Sequence, residues 1–201
     1  MNNIKCTLLV TNYNYSKWLR RCLRSCINQS QEDYEIIIVD DFSTDDSRKI
    51  LRDYEDLPNL KIIYNERNMG IGYSANKGAR LALGKWIVRV DSDDYIHSDF
   101  LKCLLLYAEF NKSHAVASDY QCVDFNEKVL SVNNQESDPI ACGILYRTDV
   151  LEYIGSWNPS LTKNEDVDIL KRFKKDFNMD YLNIPLYRYF KHENSLSSEN
   201  S

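Results

Sequence analysis

Short apolar runs and amphipathic stretches take turns along this chain. "IKCTLLV" (Ile4–Val10), "YEIIIVD" (Tyr34–Asp40), "LKIIYN" (Leu60–Asn65) and "KWIVRV" (Lys85–Val90) are rich in β-branched residues and too short for helices. They read as four buried strands. Between them apolar positions recur at helical spacing. In "SKWLRRCLRSCINQ" the residues Trp18, Leu19, Cys22, Leu23, Cys26 and Ile27 share one face, with Ser16 as the expected N-cap. "STDDSRKILRDYE" reads as a second helix whose first turn holds Ser, Thr and two Asp, where the helix dipole favours acids. "IGYSANKGARLAL" reads as a third, stopped by Gly84.

This β-α-β-α-β-α-β order predicts a parallel sheet flanked by helices and joined by right-handed crossovers. Ligands of such sheets bind beyond the carboxyl ends of the strands. Thr11, Tyr13, Asp40, Asp41 and the acids beginning at Asp91 each follow a predicted strand, so they are expected on one rim. The second half is less regular. "SDFLKCLLLYAEFN" reads as helix, "HAVASDYQCVDF" as strand, and "KVLSVNNQ" as its hairpin return. "ACGILYRTDVLEYIG" combines a turn, a short apolar run and a helix ending at Gly155, and "NEDVDILKRFKKD" is an amphipathic helix with acids first and bases last. The basic, aromatic "YRYFK" near the end reads as a packed terminal strand in preference to a membrane-facing tail.

The 201 residues suit a single domain. A net charge of −5 argues against a nucleic-acid binder that relies on an overall basic surface, but it leaves room for an anionic substrate if a metal supplies positive charge. The six cysteines show neither disulfide nor zinc spacing, and Cys22 and Cys26 read as small core residues. No stretch approaches the ~20 apolar residues that span a bilayer, and no secretory leader pattern opens the chain, so the expected compartment is the cytoplasm.

Four clusters hold candidate chemistry. In "VDDFSTDD" capping accounts for Ser43 and Thr44, but not for Asp40 and Asp41 at a strand end, where a carboxylate can accept a hydrogen bond from a base or ribose. In "DSDDY" Asp91 and Asp93 offer hard oxygen ligands suited to Mg²⁺ or Mn²⁺, against the alternative of a solvated acidic turn. The spacing lacks the Gly and Glu of an EF-hand loop. In "NEDVDILKRF" Glu165 and Asp166 open a helix, either as dipole partners or as a general base. In "YFKHENSLS" His192 could complete a metal site if its segment folds back to the rim.

Together these segments resemble the family 2 glycosyltransferases of GT-A fold, within the nucleotide-diphospho-sugar transferases. The likeness runs from about Lys5 to Ser197. It rests on the T-x-Y-N turn, V-D-D-x-S-T-D, the N-x-G…N-x-G segment leading into D-S-D-D, "GILYRTDVLEYIGSW", and the E-D pair. It implies a Rossmann-like α/β/α sandwich with a mostly parallel sheet. About residues 1–95 would form the nucleotide-sugar half and about 96–201 the acceptor-side half of one domain. By the same likeness Thr11, Tyr13, Asp40, Asp41, Asn68, Gly70, Asn76 and Asp91 hold the donor nucleotide. Asp93, Asp91 and His192 hold Mn²⁺ or Mg²⁺, Asp94 supports them, and Asp166 is the catalytic base. The implied reaction is inverting transfer from a nucleotide-diphosphate sugar, UDP-sugar favoured, to a glycan or lipid-linked acceptor in bacterial surface polysaccharide or glycolipid synthesis. That acceptor would bring the protein to the inner face of the membrane. One departure stands out: many relatives carry Arg where this chain has Ala75. A sugar nucleotidyltransferase is disfavoured because "TNYNYSKW" lacks a Gly-rich phosphate loop, and a dehydrogenase because no G-x-G-x-x-G follows the first strand. A catalytically silent sugar-nucleotide-binding domain stays open as the alternative.

Overall fold

The computed structural model describes residues 4–140, 142–161 and 165–191. The elements are β1 (Cys6–Asn12), α1 (Ser16–Ile27), β2 (Tyr34–Asp40), α2 (Ser47–Arg52), β3 (Leu60–Tyr64), α3 (Ile71–Ala79), β4 (Trp86–Asp91) and β5 (Tyr95–Ile96). They continue as α4 (Phe100–Asn111), β6 (Ala115–Val123), β7 (Val129–Asn133), β8 (Ile144–Arg147), α5 (Thr148–Tyr153), α6 (Glu165–Asp176) and β9 (Asp180–Phe190). One sheet runs in the order β3-β2-β1-β4-β8-β6-β9-β5, with β7 paired to β6 outside that path. The first four strands are parallel, as the alternating pattern predicts. Beyond β4 the sheet is mixed: β8 runs antiparallel to both β4 and β6, β9 parallel to β6, and β5 antiparallel to β9.

Strand alternation divides the apolar side chains between two cores. Leu8, Val10, Ile36, Ile38, Val88 and Val90 pack against α1, α2 and α4. Leu9, Ile37, Val39 and Ile87 pack against Ala75 of α3, Val150 and Leu151 of α5, and Ile169 and Phe173 of α6. Helices therefore cover both faces of the sheet. Cys22 and Cys26 are buried core residues, as read. The "YRYFK" segment enters β9 with Tyr187 and Phe190 buried, so it is a packed strand. Among the described residues no helix is long and apolar enough to cross a membrane.

Three local expectations are corrected. Ser16 is the first residue of α1 and not its cap; its N–H donates to Asp45 Oδ2 at 2.9 Å, so the capping acceptor comes from the β2–α2 loop. Ser43 and Thr44 do not cap α2, which starts at Ser47. Ser43 Oγ accepts from Asn12 Nδ2 and from the Asn14 N–H, and the Thr44 N–H donates to Asn14 Oδ1. The third helix ends at Ala79, and Gly84 serves a close approach to β1. A Cβ on Gly84 would lie 2.5 Å from Thr7 N and 2.6 Å from Cys6 C, and both are backbone atoms that cannot swing aside. Gly84→Ala is expected to destabilise the fold by about 1–3 kcal/mol through this overpacking. Urea denaturation checks it, and an unchanged midpoint would mean that β1 and the β4 approach can separate freely.

Candidate active site

Strand register builds the rim. Thr11 lies between Val39 of β2 and Asp91 of β4, and Asn12 lies beside Asp40. Both aspartates after β2 are buried and fully engaged. Asp40 accepts from Asn12 Nδ2 at 3.0 Å, the Ser43 N–H at 3.1 Å and Arg48 Nε at 2.8 Å. Asp41 accepts from Asn65 Nδ2 at 2.7 Å and from the N–H groups of Met69 and Gly70 at 2.8 and 2.7 Å. Gly70 has φ +87°, a conformation other residues rarely adopt, and its N–H also reaches Asn68 Oδ1 at 3.2 Å. Asp41 thus folds the Asn65–Gly70 loop over the ends of β1 and β2. The Tyr13 ring, just beyond β1, is 43% exposed.

Asn76 is held elsewhere. Its Nδ2 donates to Trp157 O at 2.6 Å, and its Oδ1 accepts from the Trp157 N–H at 3.0 Å. Both ends of the amide tie α3 to the segment after α5. Thr11, Tyr13, Asp40, Asp41, Asn68, Gly70 and Asp91 therefore gather on one rim, and the Asn76 amide faces away into the fold. Ala75 is buried in the core beside it.

The acidic loop after β4 is held from several sides. The Asp94 N–H closes a turn onto Asp91 O at 3.0 Å. Arg21 Nη2 donates to Asp93 O at 2.8 Å, and the Asp91 N–H donates to Tyr187 Oη at 3.2 Å. Asp94 is turned inward and is 1% exposed. Its carboxylate accepts from Tyr187 Oη at 2.8 Å, the Phe190 N–H at 2.8 Å and Cys142 Sγ at 3.6 Å. Burial, followed by the charges of Asp93 and Asp91, pushes the Asp94 carboxyl well above the usual range. Asp93 is half-buried.

Asp91 differs from both. A quarter of its side chain is exposed, while its Oδ1 is buried. Oδ1 lies 3.1 Å from Arg89 Nε, but neither atom has an aligned hydrogen-bond partner. Burial pushes the Asp91 carboxyl up to about 6; Arg89 opposes the rise, and Asp93 and Glu165 reinforce it. The loop thus crowds carboxyl groups together and holds a buried carboxylate oxygen, Asp91 Oδ1, whose approach to Arg89 is not aligned for a hydrogen bond. Both features fit a hard divalent cation such as Mg²⁺ or Mn²⁺. Ligand atoms of Asp91, Asp94 and Cys142 lie within 4.8 Å of one another, but burial pushes the Cys142 thiol up, which leaves oxygen as the donor type of the loop. His192 lies outside the described residues.

The first turn of α6 stands beside this loop. Arg89, inside β4 and 3% exposed, donates from Nη1 to Glu165 Oε1 at 3.0 Å. Asp166 is half-buried in the same turn. Tyr146 of β8 carries a buried hydroxyl without a hydrogen-bond partner and senses the charges of both Arg89 and Asp166. Farther along α6, Arg172 pairs with Asp168 Oδ2 at 2.7 Å and donates to the carbonyls of Ile154 and Ser156, so that α6 is bolted to the segment after α5. Arg89 is a site residue that reading "KWIVRV" only as a buried strand leaves unmarked. The signal was there: an arginine amid residues buried on both faces needs a carboxylate partner.

The architecture is that of the GT-A glycosyltransferases. It superimposes on the crystal structure of S. aureus TarS in complex with UDP-GlcNAc with a TM-score of 0.85 at 24% identity, covering 98% of this chain and 61% of that one. Residues 7–155 match the model of glycosyl transferase family 2, and the chain belongs to that family. Relatives include the chondroitin synthase of Escherichia coli, 37% identical over 115 residues, which are 57% of this chain and 16% of that protein. The poly(ribitol-phosphate) beta-glucosyltransferase of Bacillus spizizenii is 39% identical over 115 residues, 55% of this chain and 18% of that protein. The chain therefore matches only a minor part of each relative's length.

The raised Asp91 carboxyl has a sign that can be tested. Between about pH 4 and about pH 6 the folded protein keeps a proton that the unfolded chain has released. The stability this confers is full below about pH 4 and is lost as pH rises through about 6. A divalent cation bound at the loop would replace that proton. Added Mn²⁺ is therefore expected to raise the melting temperature more at about pH 7.5 than at about pH 5. Equal shifts at the two pH values would mean that the ion binds away from Asp91.

Proposed function

We propose that this site performs inverting, metal-dependent glycosyl transfer. The donor is a nucleotide-diphosphate sugar, with a UDP-sugar favoured, and the acceptor is a hydroxyl of a glycan or lipid-linked glycan in bacterial surface polysaccharide or glycolipid synthesis. The observation that carries the reading is the junction at Arg89: it brings the first turn of α6, with Asp166, beside the acidic loop at the carboxyl end of β4. An acid loop for a diphosphate and a carboxylate for an acceptor proton then share one rim. Support also comes from TarS, solved with UDP and with UDP-GlcNAc, and from relatives named as a chondroitin synthase and a poly(ribitol-phosphate) beta-glucosyltransferase.

Each residue has a part. Tyr13 offers an exposed ring for stacking on the base, and Thr11 a hydroxyl at the strand end. Asp41 fixes the Asn65–Gly70 loop, which borders the nucleoside, and Asp40 keeps the β1 and β2 ends together. Mn²⁺ or Mg²⁺ held by Asp93 and Asp91, with His192 as a further ligand, supplies positive charge against the diphosphate. Asp166 takes the proton of the acceptor hydroxyl. That oxygen forms its bond to the anomeric carbon from the face opposite the nucleotide, while the bond from carbon to the diphosphate oxygen breaks. The configuration inverts, and no sugar–protein bond forms. The protein works at the cytoplasmic face of the membrane, where nucleotide sugars and lipid-linked acceptors meet.

Calorimetry with UDP-, GDP-, dTDP- and CMP-sugars, with and without Mn²⁺, tests the donor. Binding of one UDP-sugar that requires the ion is expected; metal-independent binding sinks the cation's role. Asp166→Asn is expected to keep donor affinity and lower transfer by about 10²–10⁴-fold, the usual size of a general-base contribution. Turnover at the unmodified rate would remove Asp166 as the base. Donor binding with no transfer by the unmodified protein to any glycan acceptor would favour the silent binding domain.

A further inference from the structure

We infer that Arg89 is the positioning residue of this site, the link that sets the base-bearing turn of α6 against the donor loop. The inference rests on the roles proposed above for Asp166 and the acidic loop. Arg89 pairs with Leu9 in the β1–β4 register and lies two positions from Ile87, so it leaves the sheet on their face, the one covered by α3, α5 and α6. An apolar side chain there would continue the Leu9–Ile87 core. A buried ion pair is often no more stabilising than such a replacement, so stability alone does not account for the arginine.

Its two carboxylate contacts are unequal. Nη1 donates a directed hydrogen bond to Glu165, 76 residues away in sequence, at 3.0 Å. Nε approaches Asp91 Oδ1 at 3.1 Å without hydrogen-bond alignment. The guanidinium therefore fixes Glu165, and with it the adjacent Asp166, but attracts Asp91 only through charge. That leaves the Oδ1 lone pairs of Asp91 for another partner. Among the described residues, the other polar anchors of α6 are those of Arg172, which reach Ile154 and Ser156 and not the loop. Arg89 is thus the polar connection between the first turn of α6 and the end of β4.

The test pairs Arg89→Met and Arg89→Lys with the unmodified protein and reads amide hydrogen exchange, Mn²⁺ affinity and transfer kinetics. In Arg89→Met, peptides covering 165–170 are expected to lose protection while those of α4 stay unchanged. Mn²⁺ affinity should hold or rise, because a nearby positive charge has gone. The kcat for transfer should fall by about 10–100-fold, the scale of a misplaced catalytic group. Arg89→Lys should recover part of both the protection and the kcat, since lysine restores the charge without the planar fork. If Arg89→Met fails to fold, Glu165→Gln weakens the same link from the helix side and should show the same local loss of protection. Unchanged protection of 165–170 in these variants, or loss of kcat without loss of protection, overturns the inference. Exchange is read without substrate, so an unmodified protein that transfers no sugar fails the proposed function and leaves this readout intact.

Discussion

Negative charge is crowded at the carboxyl end of β4, and the surrounding architecture answers to that crowding. Asp93 and Glu165 act on Asp91, and Asp93 and Asp91 act on Asp94, while the buried guanidinium of Arg89 lies between Asp91 and Glu165. An ionised carboxylate in a protein interior costs several kcal/mol unless it is paired or hydrogen-bonded. Each acid meets that cost differently. Asp94 goes inward and takes three donors. Glu165 takes the directed bond of Arg89. Asp91 meets Arg89 in a charge contact without hydrogen-bond alignment, and burial raises its proton affinity.

The rest of the rim is rigid for the opposite reason. Asp40 and Asp41 are buried just as deeply, yet each has donors enough to satisfy it. They act as staples that hold a loop, a strand end and an arginine. Two acidic clusters that look alike in sequence, "VDD" and "DSDD", thus have different physical states. Asp40 and Asp41 are satisfied within the protein, while Asp91 Oδ1 is buried without an aligned hydrogen bond.

The strands of the first half were legible because each is a short apolar run between polar turns, and the two cores follow from simple alternation. What the sequence concealed was tertiary. The donor for Asp45 is an N–H of α1, so the end of α1 could not be assigned from its own residues. Gly84 looked like a helix stop, yet its reason is the backbone of β1 next to it. Asn76 looked like part of a binding segment, and its amide is occupied by Trp157, 81 residues away. The inward turn of Asp94 depends on Phe190, 96 residues away, which no local spacing could announce. Arg89 is the case where the signal existed: a charge within a fully buried strand calls for a partner, and the acids were already in view.

The place of β9 has a temporal consequence. It is the last strand of the described chain, yet it inserts between β6 and β5, and its Tyr187 and Phe190 provide two of the donors that seat Asp94. On the ribosome the acidic loop emerges about a hundred residues before these donors, and domains grow from the N-terminal side. The parallel half can pair early, but contacts between residues so distant in sequence form late. The nascent chain thus carries its acids without their seat until β9 has emerged. Until then the parallel half holds a sheet without a set loop, and the loop takes its shape together with β9.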